Sequence, residues 1–140
     1  MFEELLIPLL LSEVLGALKG KTRYQKLVYL VQEEAAARNV PASSFKYDLY
    51  YYGPFSSELS TVLENLKNND LLEEEIEMTP NGYSRYVYSL TDKGRKLLED
   101  SKEKRILSKK LETIIREVAA KYGEIQLSDL VEEAYSRYSR

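Results

Sequence analysis

The sequence predicts an α+β domain. Three observations predict it: apolar residues at helical spacing on both sides of residue 20, two strand-like runs joined by a tight turn near residue 80, and further helical stripes after residue 91. A chain of 140 residues has room for one core. We divide it into a unit over residues 1–98 and a helical extension over residues 99–140 packed on the same core. Hydrophobic residues at 44% and charged residues at 31% are the composition of a chain that folds on its own.

Leu9, Leu10, Val14, Leu15 and Leu18 mark a first, mostly buried helix, with Pro8 suited to its start and Gly20 placed as its left-handed cap. Thr22 and Gln25 have capping-box spacing, and Tyr24, Leu27, Val28, Val31 and Ala35 continue a second helix to about Arg38. Phe45, Tyr47, Leu49 and Tyr51 alternate as one face of a strand that ends at Gly53-Pro54, where the next helix begins. That helix buries Phe55, Leu59, Val62, Leu63 and Leu66. Residues 71–78 and 83–90 form a hairpin about Thr79-Pro80-Asn81-Gly82, because Pro pre-sets the bend and Asn-Gly tolerates positive φ. Thr91-Asp92 caps a helical region whose apolar positions thin out over residues 99–105 and resume at Leu107, Leu111, Ile114, Ile115 and Val118, as one helix or two. Gly123 closes it, and Leu127, Leu130, Val131, Ala134, Tyr135 and Tyr138 mark a last helix opened by Ser128-Asp129.

What is missing narrows the chemistry. The chain has no Cys and no His, so disulfides, thiol nucleophiles, Cys- or His-bound metals and imidazole catalysis are closed to it. Carboxylate, Ser/Lys and oxygen-ligand chemistry remain, without a recognisable motif, so neither an enzyme nor a cofactor is expected. Glu73, Glu74, Glu75 and Glu77 do not make a metal site, since alternation sends neighbouring carboxylates to opposite faces. The apolar run at residues 5–11 follows Glu3 and Glu4 rather than basic residues, and no stretch approaches the roughly 18 apolar residues of a membrane span. A cytoplasmic protein is expected. Abundant Glu, Lys, Arg and Tyr, with few Asn and Gln, lean toward a heat-adapted source.

Helices followed by a helix and a twisted hairpin are the order of a winged helix-turn-helix, here with additional C-terminal helices and a strand between the second and third helices. Two motifs carry a resemblance as well. Lys21-Thr22-Arg23-Tyr24-Gln25-Lys26-Leu27-Val28-Tyr29-Leu30 and Tyr50-Tyr51-Tyr52-Gly53-Pro54-Phe55-Ser56-Ser57-Glu58-Leu59 resemble the YwgA-like winged-helix group of bacteria and archaea, and more distantly the Panacea domain of some antitoxins. The resemblance covers roughly residues 20–98 and implies regulation through contact with DNA or protein.

For duplex DNA the candidate readers are Ser56, Ser57, Ser60, Thr61 and Lys67 on the third helix and Asn81 and Arg85 on the wing, whose hydroxyls, amides and guanidinium can reach base edges or phosphates. Ser56, Ser57 and Asn81 serve equally as helix caps and turn residues. Lys21, Arg23, Lys26, Lys102, Lys104 and Arg105 are the candidate phosphate contacts, and Gly53 and Pro54 the structural junction. Charge divides the chain. Residues 41–90 hold three basic against eight acidic side chains, net -5, while residues 91–110 hold eight against four, net +4. A duplex is repelled by the first segment and attracted by the second. Seven of the 12 tyrosines fall within residues 47–88, an interface-rich composition. Two readings follow: a DNA-binding transcriptional regulator, or a winged-helix protein-interaction module of antitoxin or adaptor type. A homodimer through the C-terminal stripes is expected with either.

Overall fold

The computed structural model describes residues 3–139. Its helices are α1 (Glu3–Leu15), α2 (Lys21–Ala37), α3 (Ser57–Asn68), α4 (Asp92–Glu103), α5 (Lys109–Tyr122) and α6 (Leu127–Tyr138), and its strands β1 (Leu18–Lys19), β2 (Asp48–Tyr50), β3 (Gly53–Phe55), β4 (Leu72–Met78) and β5 (Ser84–Leu90). This is a mixed α+β architecture. The strands form an antiparallel sheet in the order β1-β5-β4 and a separate β2-β3 ribbon.

The centre of the molecule is α2, in which every residue from Tyr24 to Val31 is buried. A helix enclosed on all sides needs neighbours on all sides. They are α5, α6 and β3, with α1 crossing against α5, α4, α3 and β5. Tyr24 joins the two N-terminal helices: its hydroxyl pairs with Ser12 Oγ and donates to Pro8 O, and its ring meets Tyr88 edge-on at 5.0 Å. The α4 start is held by a close approach of chains. Thr91 Oγ1 accepts from Gly94 N and donates to Asp70 O, and a Cβ on Gly94 would lie 2.3 Å from Leu71 O.

Several boundaries differ from the sequence expectation. α1 runs through Pro8 and stops at Leu15, with Gly16 rather than Gly20 at positive φ behind it; Leu18 pairs with Tyr88 in the sheet instead. Gly20, at φ +105°, is the N-cap of α2, so Thr22 and Gln25 form no capping box. The strand expected over residues 45–52 shrinks to β2; Phe45 and Tyr47 turn inward while Leu49 and Tyr51 face out. Pro54 lies in β3, not at a helix start, and α3 is capped by Ser56. The hairpin is as expected, with Gly82 at positive φ. Two helices follow it, broken after Glu103 where Arg105 adopts φ +57°. α6 begins one turn-position early, at Leu127 behind Gln126, not at Ser128-Asp129.

The stripe Leu107, Leu111, Ile114, Ile115 and Val118 is at most 3% exposed. Burying five such side chains at about 2 kcal/mol each amounts to roughly 10 kcal/mol, as much as the net stability of a whole domain. α5 is therefore part of the chain's own core. The surplus apolar surface that argued for a dimer at this stripe does not exist; what the C-terminal helices leave exposed is Leu127, Tyr135 and Tyr138.

Candidate functional site

Gln25 and Lys26 follow Tyr24 in the buried stretch of α2, so their polar ends need partners inside the protein. They find them on the segment that enters α3. Gln25 Nε2 donates to Ser56 O at 2.9 Å and to Ser60 Oγ at 3.1 Å, while Gln25 Oε1 accepts from Ser56 N at 2.8 Å. Lys26 Nζ donates to Pro54 O at 2.8 Å. Ser56 in turn caps α3 by accepting from Leu59 N. The two sequence motifs thus interlock, one reading the backbone of the other. Lys26 is 2% exposed and no charged group acts on it; burial alone pushes its ammonium down to about 8.

The same junction projects an aromatic finger. Tyr50 pairs with Gly53 in register, leaving Tyr51 and Tyr52 as the two-residue turn of the β2-β3 ribbon. Gly53 leaves that turn at φ +91°, the left-handed region that glycine tolerates. Tyr51 is fully exposed, and Tyr50 and Tyr52 are more than half exposed. Tyr50 leans on Phe55, ring centres 5.1 Å apart.

Between this finger, the start of α2, the face of α3 and the base of the β4-β5 hairpin lies a cavity of about 910 Å³. Glu64 and Glu74 lie at its α3 and β4 sides and share Lys67, at 3.1 and 3.3 Å. Burial would raise Glu74, but hydrogen bonds from Tyr88 and Lys67 hold it below the usual carboxylate range. Beyond Glu74, the same strand face carries Ile76 and Met78, both 67% exposed, with Tyr86 opposite Ile76 and Lys21 Nζ 4.3 Å over the Tyr86 ring. An apolar strip therefore leads outward from the cavity along the hairpin.

The residues singled out from the sequence are scattered in role. Ser56 is buried and caps, Ser60 accepts from Gln25, and Ser57, Thr61 and Asn81 are exposed. Lys67 is held by two glutamates, and Arg85 by Glu77 at 2.6 and 3.0 Å, which lowers the Glu77 carboxyl. Lys21 is exposed. Arg23 donates to Gly123 O, and burial beside Arg85 lowers its guanidinium. Lys26 is interior and so is not a solvated member of a basic cluster. Lys102 reaches Glu13 at 3.4 Å, while Lys104 and Arg105 are exposed past the end of α4. The interior roles of Gln25 and Lys26 are absent from that reading; their signal is two polar residues inside an eight-residue stretch with apolar neighbours on every face.

Among the described residues no helix is long and apolar enough to cross a membrane, and no group of three or more Asp or Glu is placed to hold a metal ion. An 84-residue stretch is 34% identical to the uncharacterized protein YwgA of Bacillus subtilis (strain 168), covering 60% of this chain and 47% of that protein. The chain thus spans about half the length of the curated relative it matches. A family model described as antitoxin SocA-like, Panacea domain, matches residues 24–137, a span holding the Gln25-Lys26 interlock, the tyrosine finger, the cavity walls except Lys21 and Thr22, and nearly all of α6. The chain belongs to the SocA-like antitoxin, Panacea-domain family.

Proposed function

We propose that this chain is a cytoplasmic, non-catalytic protein-interaction module of antitoxin type, engaging a protein partner through the Tyr50–Tyr52 finger and the apolar strip of the β4-β5 hairpin. The observation that carries the reading is the finger itself. Three consecutive tyrosines stand exposed on a turn whose base is fixed by Lys26 and Gln25. Rigidly mounted tyrosines combine large apolar area with a polar tip, the composition of protein interface anchors. The acidic balance of residues 41–90 favours a basic partner surface over a phosphate backbone. Membership of an antitoxin-like family supports the same class.

A second reading, a winged-helix DNA-binding regulator, rests on the order of α3, β4 and β5, with the hairpin as wing. Its readers would be Ser57, Thr61, Asn81 and Arg85, and its phosphate contacts Lys102, Lys104 and Arg105. One experiment separates the two. A co-expressed protein that arrests growth alone and is tolerated with this chain, with tolerance lost on Tyr51→Asp and kept on replacing Lys102 and Lys104 by Ala, supports the interaction module. Salt-sensitive binding to duplex DNA that weakens with the Lys102/Lys104 double variant and ignores Tyr51→Asp transfers the assignment to the regulator.

A further inference from the structure

The 910 Å³ cavity holds a charge arrangement that the protein-interaction reading does not use. Its two acidic groups are already matched, since Glu64 and Glu74 share Lys67. Lys26 is not. Its ammonium has Pro54 O as its hydrogen-bond acceptor, forms no ion pair among the described residues, and sits 2% exposed at the back of the cavity. An ammonium can donate three hydrogen bonds, so two remain. Lys21 adds a second cation on the same side, over the Tyr86 ring. Tyr50, Tyr52 and Phe55 line the same cavity, with the Tyr50 and Phe55 rings 5.1 Å apart. Flat apolar walls with a recessed cation suit a ligand with a ring at one end and an anion at the other. The volume lies within the roughly 300–1,000 Å³ of sites that enclose a small molecule.

We propose that this cavity is a binding site for a small anionic aromatic molecule, its carboxylate or phosphate on Lys26 and its ring against Tyr50, Tyr52 and Phe55. The anion supplies the counter-charge and the acceptors that the buried ammonium lacks, and the ring covers apolar wall now open to water. A free small molecule is preferred to an acidic segment of a partner because the anion acceptor lies behind the finger rather than on it: Tyr51 at the rim is fully exposed and Lys26 almost fully enclosed.

Calorimetric titration with 2-naphthoate, 1-naphthyl phosphate and the uncharged 2-naphthamide tests this on the intact chain. Both anions are expected to bind at least tenfold more tightly than the amide, and the tighter of the two identifies the carboxylate or the phosphate as the natural head. Lys26→Met should remove the preference for the anions. Thr61→Trp, an exposed α3 position that lines the cavity, should block all three probes without disturbing the core, and it decides the matter should Lys26→Met fail to fold. Equal affinity for amide and anions, or binding indifferent to Thr61→Trp, overturns the proposal. Absence of binding by either naphthyl anion also overturns it, and a glutamate-containing peptide that binds in their place assigns the cavity to a partner's acidic segment.

Discussion

The ammonium of Lys26 donates to the carbonyl oxygen of Pro54 at 2.8 Å, tying the centre of the molecule to the base of its most exposed loop. The same contact gives the first prediction. The folded chain releases the Lys26 proton near pH 8, the unfolded chain only near 10.5, so between those values the unfolded state holds more protons and stability rises with pH. The full swing is on the order of 3 kcal/mol. Above pH 10 the buried tyrosines oppose it, since burial pushes Tyr29 up to about 12 and the folded state then holds the extra proton. Urea unfolding at pH 7 and pH 9.5 should therefore show wild type gaining on Lys26→Met as pH rises. A difference that stays constant would mean Lys26 is no more enclosed than an ordinary lysine.

Gln25 both donates to and accepts from the backbone of Ser56. Gln25→Leu strands the buried N–H of Ser56, at about 1 to 3 kcal/mol, while the Ser56 carbonyl keeps the amide of Ser60 at 3.2 Å. We expect a loss of about 2 kcal/mol in denaturant titration, and a loss below about 0.5 kcal/mol would mean that water reaches the Ser56 N–H.

Gly53→Val is expected to destabilise by about 2 to 3 kcal/mol through backbone strain at φ +91°. The Cβ itself is not obstructed, since it would meet Lys26 Cε at 3.6 Å and Val131 O at 3.7 Å, ordinary contacts. A thermal midpoint equal to wild type would show that the turn relaxes.

Ile114→Asp should prevent folding at every protein concentration, because Ile114 is 1% exposed in the core of a single chain. Folded, dissociated monomers from this variant would restore the idea that the α5 stripe is a dimer interface. Light scattering with circular dichroism distinguishes the two.

Arg137 binds Glu34 at 2.8 Å, Tyr122 Oη at 3.1 Å and Glu133 at 3.3 Å, joining α6 to α2 and α5. Burial opposes its charge, yet these partners raise the guanidinium further and hold Glu34 below the usual carboxylate range. Arg137→Met should cost about 1 to 2 kcal/mol and speed amide exchange in α6 more than in α1. Uniform exchange would mean α6 is held by its apolar face alone.

Patterning made the helices and the β4-β5 hairpin legible, because burial period and the Pro-Asn-Gly turn act locally. Failures came where a distant partner outbid a local one. Gln25 had capping-box spacing to Thr22, but the backbone of Ser56, 31 residues away, offers it both a donor and an acceptor. Pro54 suited a helix start, but ribbon pairing with Leu49 places it in a strand. Helical spacing identified the α5 stripe as buried without saying against what, and α1 and α2 proved to be the cover. At the site, the density of tyrosines pointed to an interface without separating the exposed Tyr50–Tyr52 from the inward Tyr47 and Tyr88, whereas Lys26 read as one more surface cation because charge count ignores depth.

The pairing of Glu34 with Arg137 spans 103 positions. At roughly 5 to 20 residues added per second, α2 waits on the order of 5 to 20 s during translation before that arginine is made. For that interval the buried stretch of α2 has only part of its cover. The nascent protein therefore presents Tyr29, whose ring later meets Tyr138 of α6, to whatever waits at the ribosome until that helix is made.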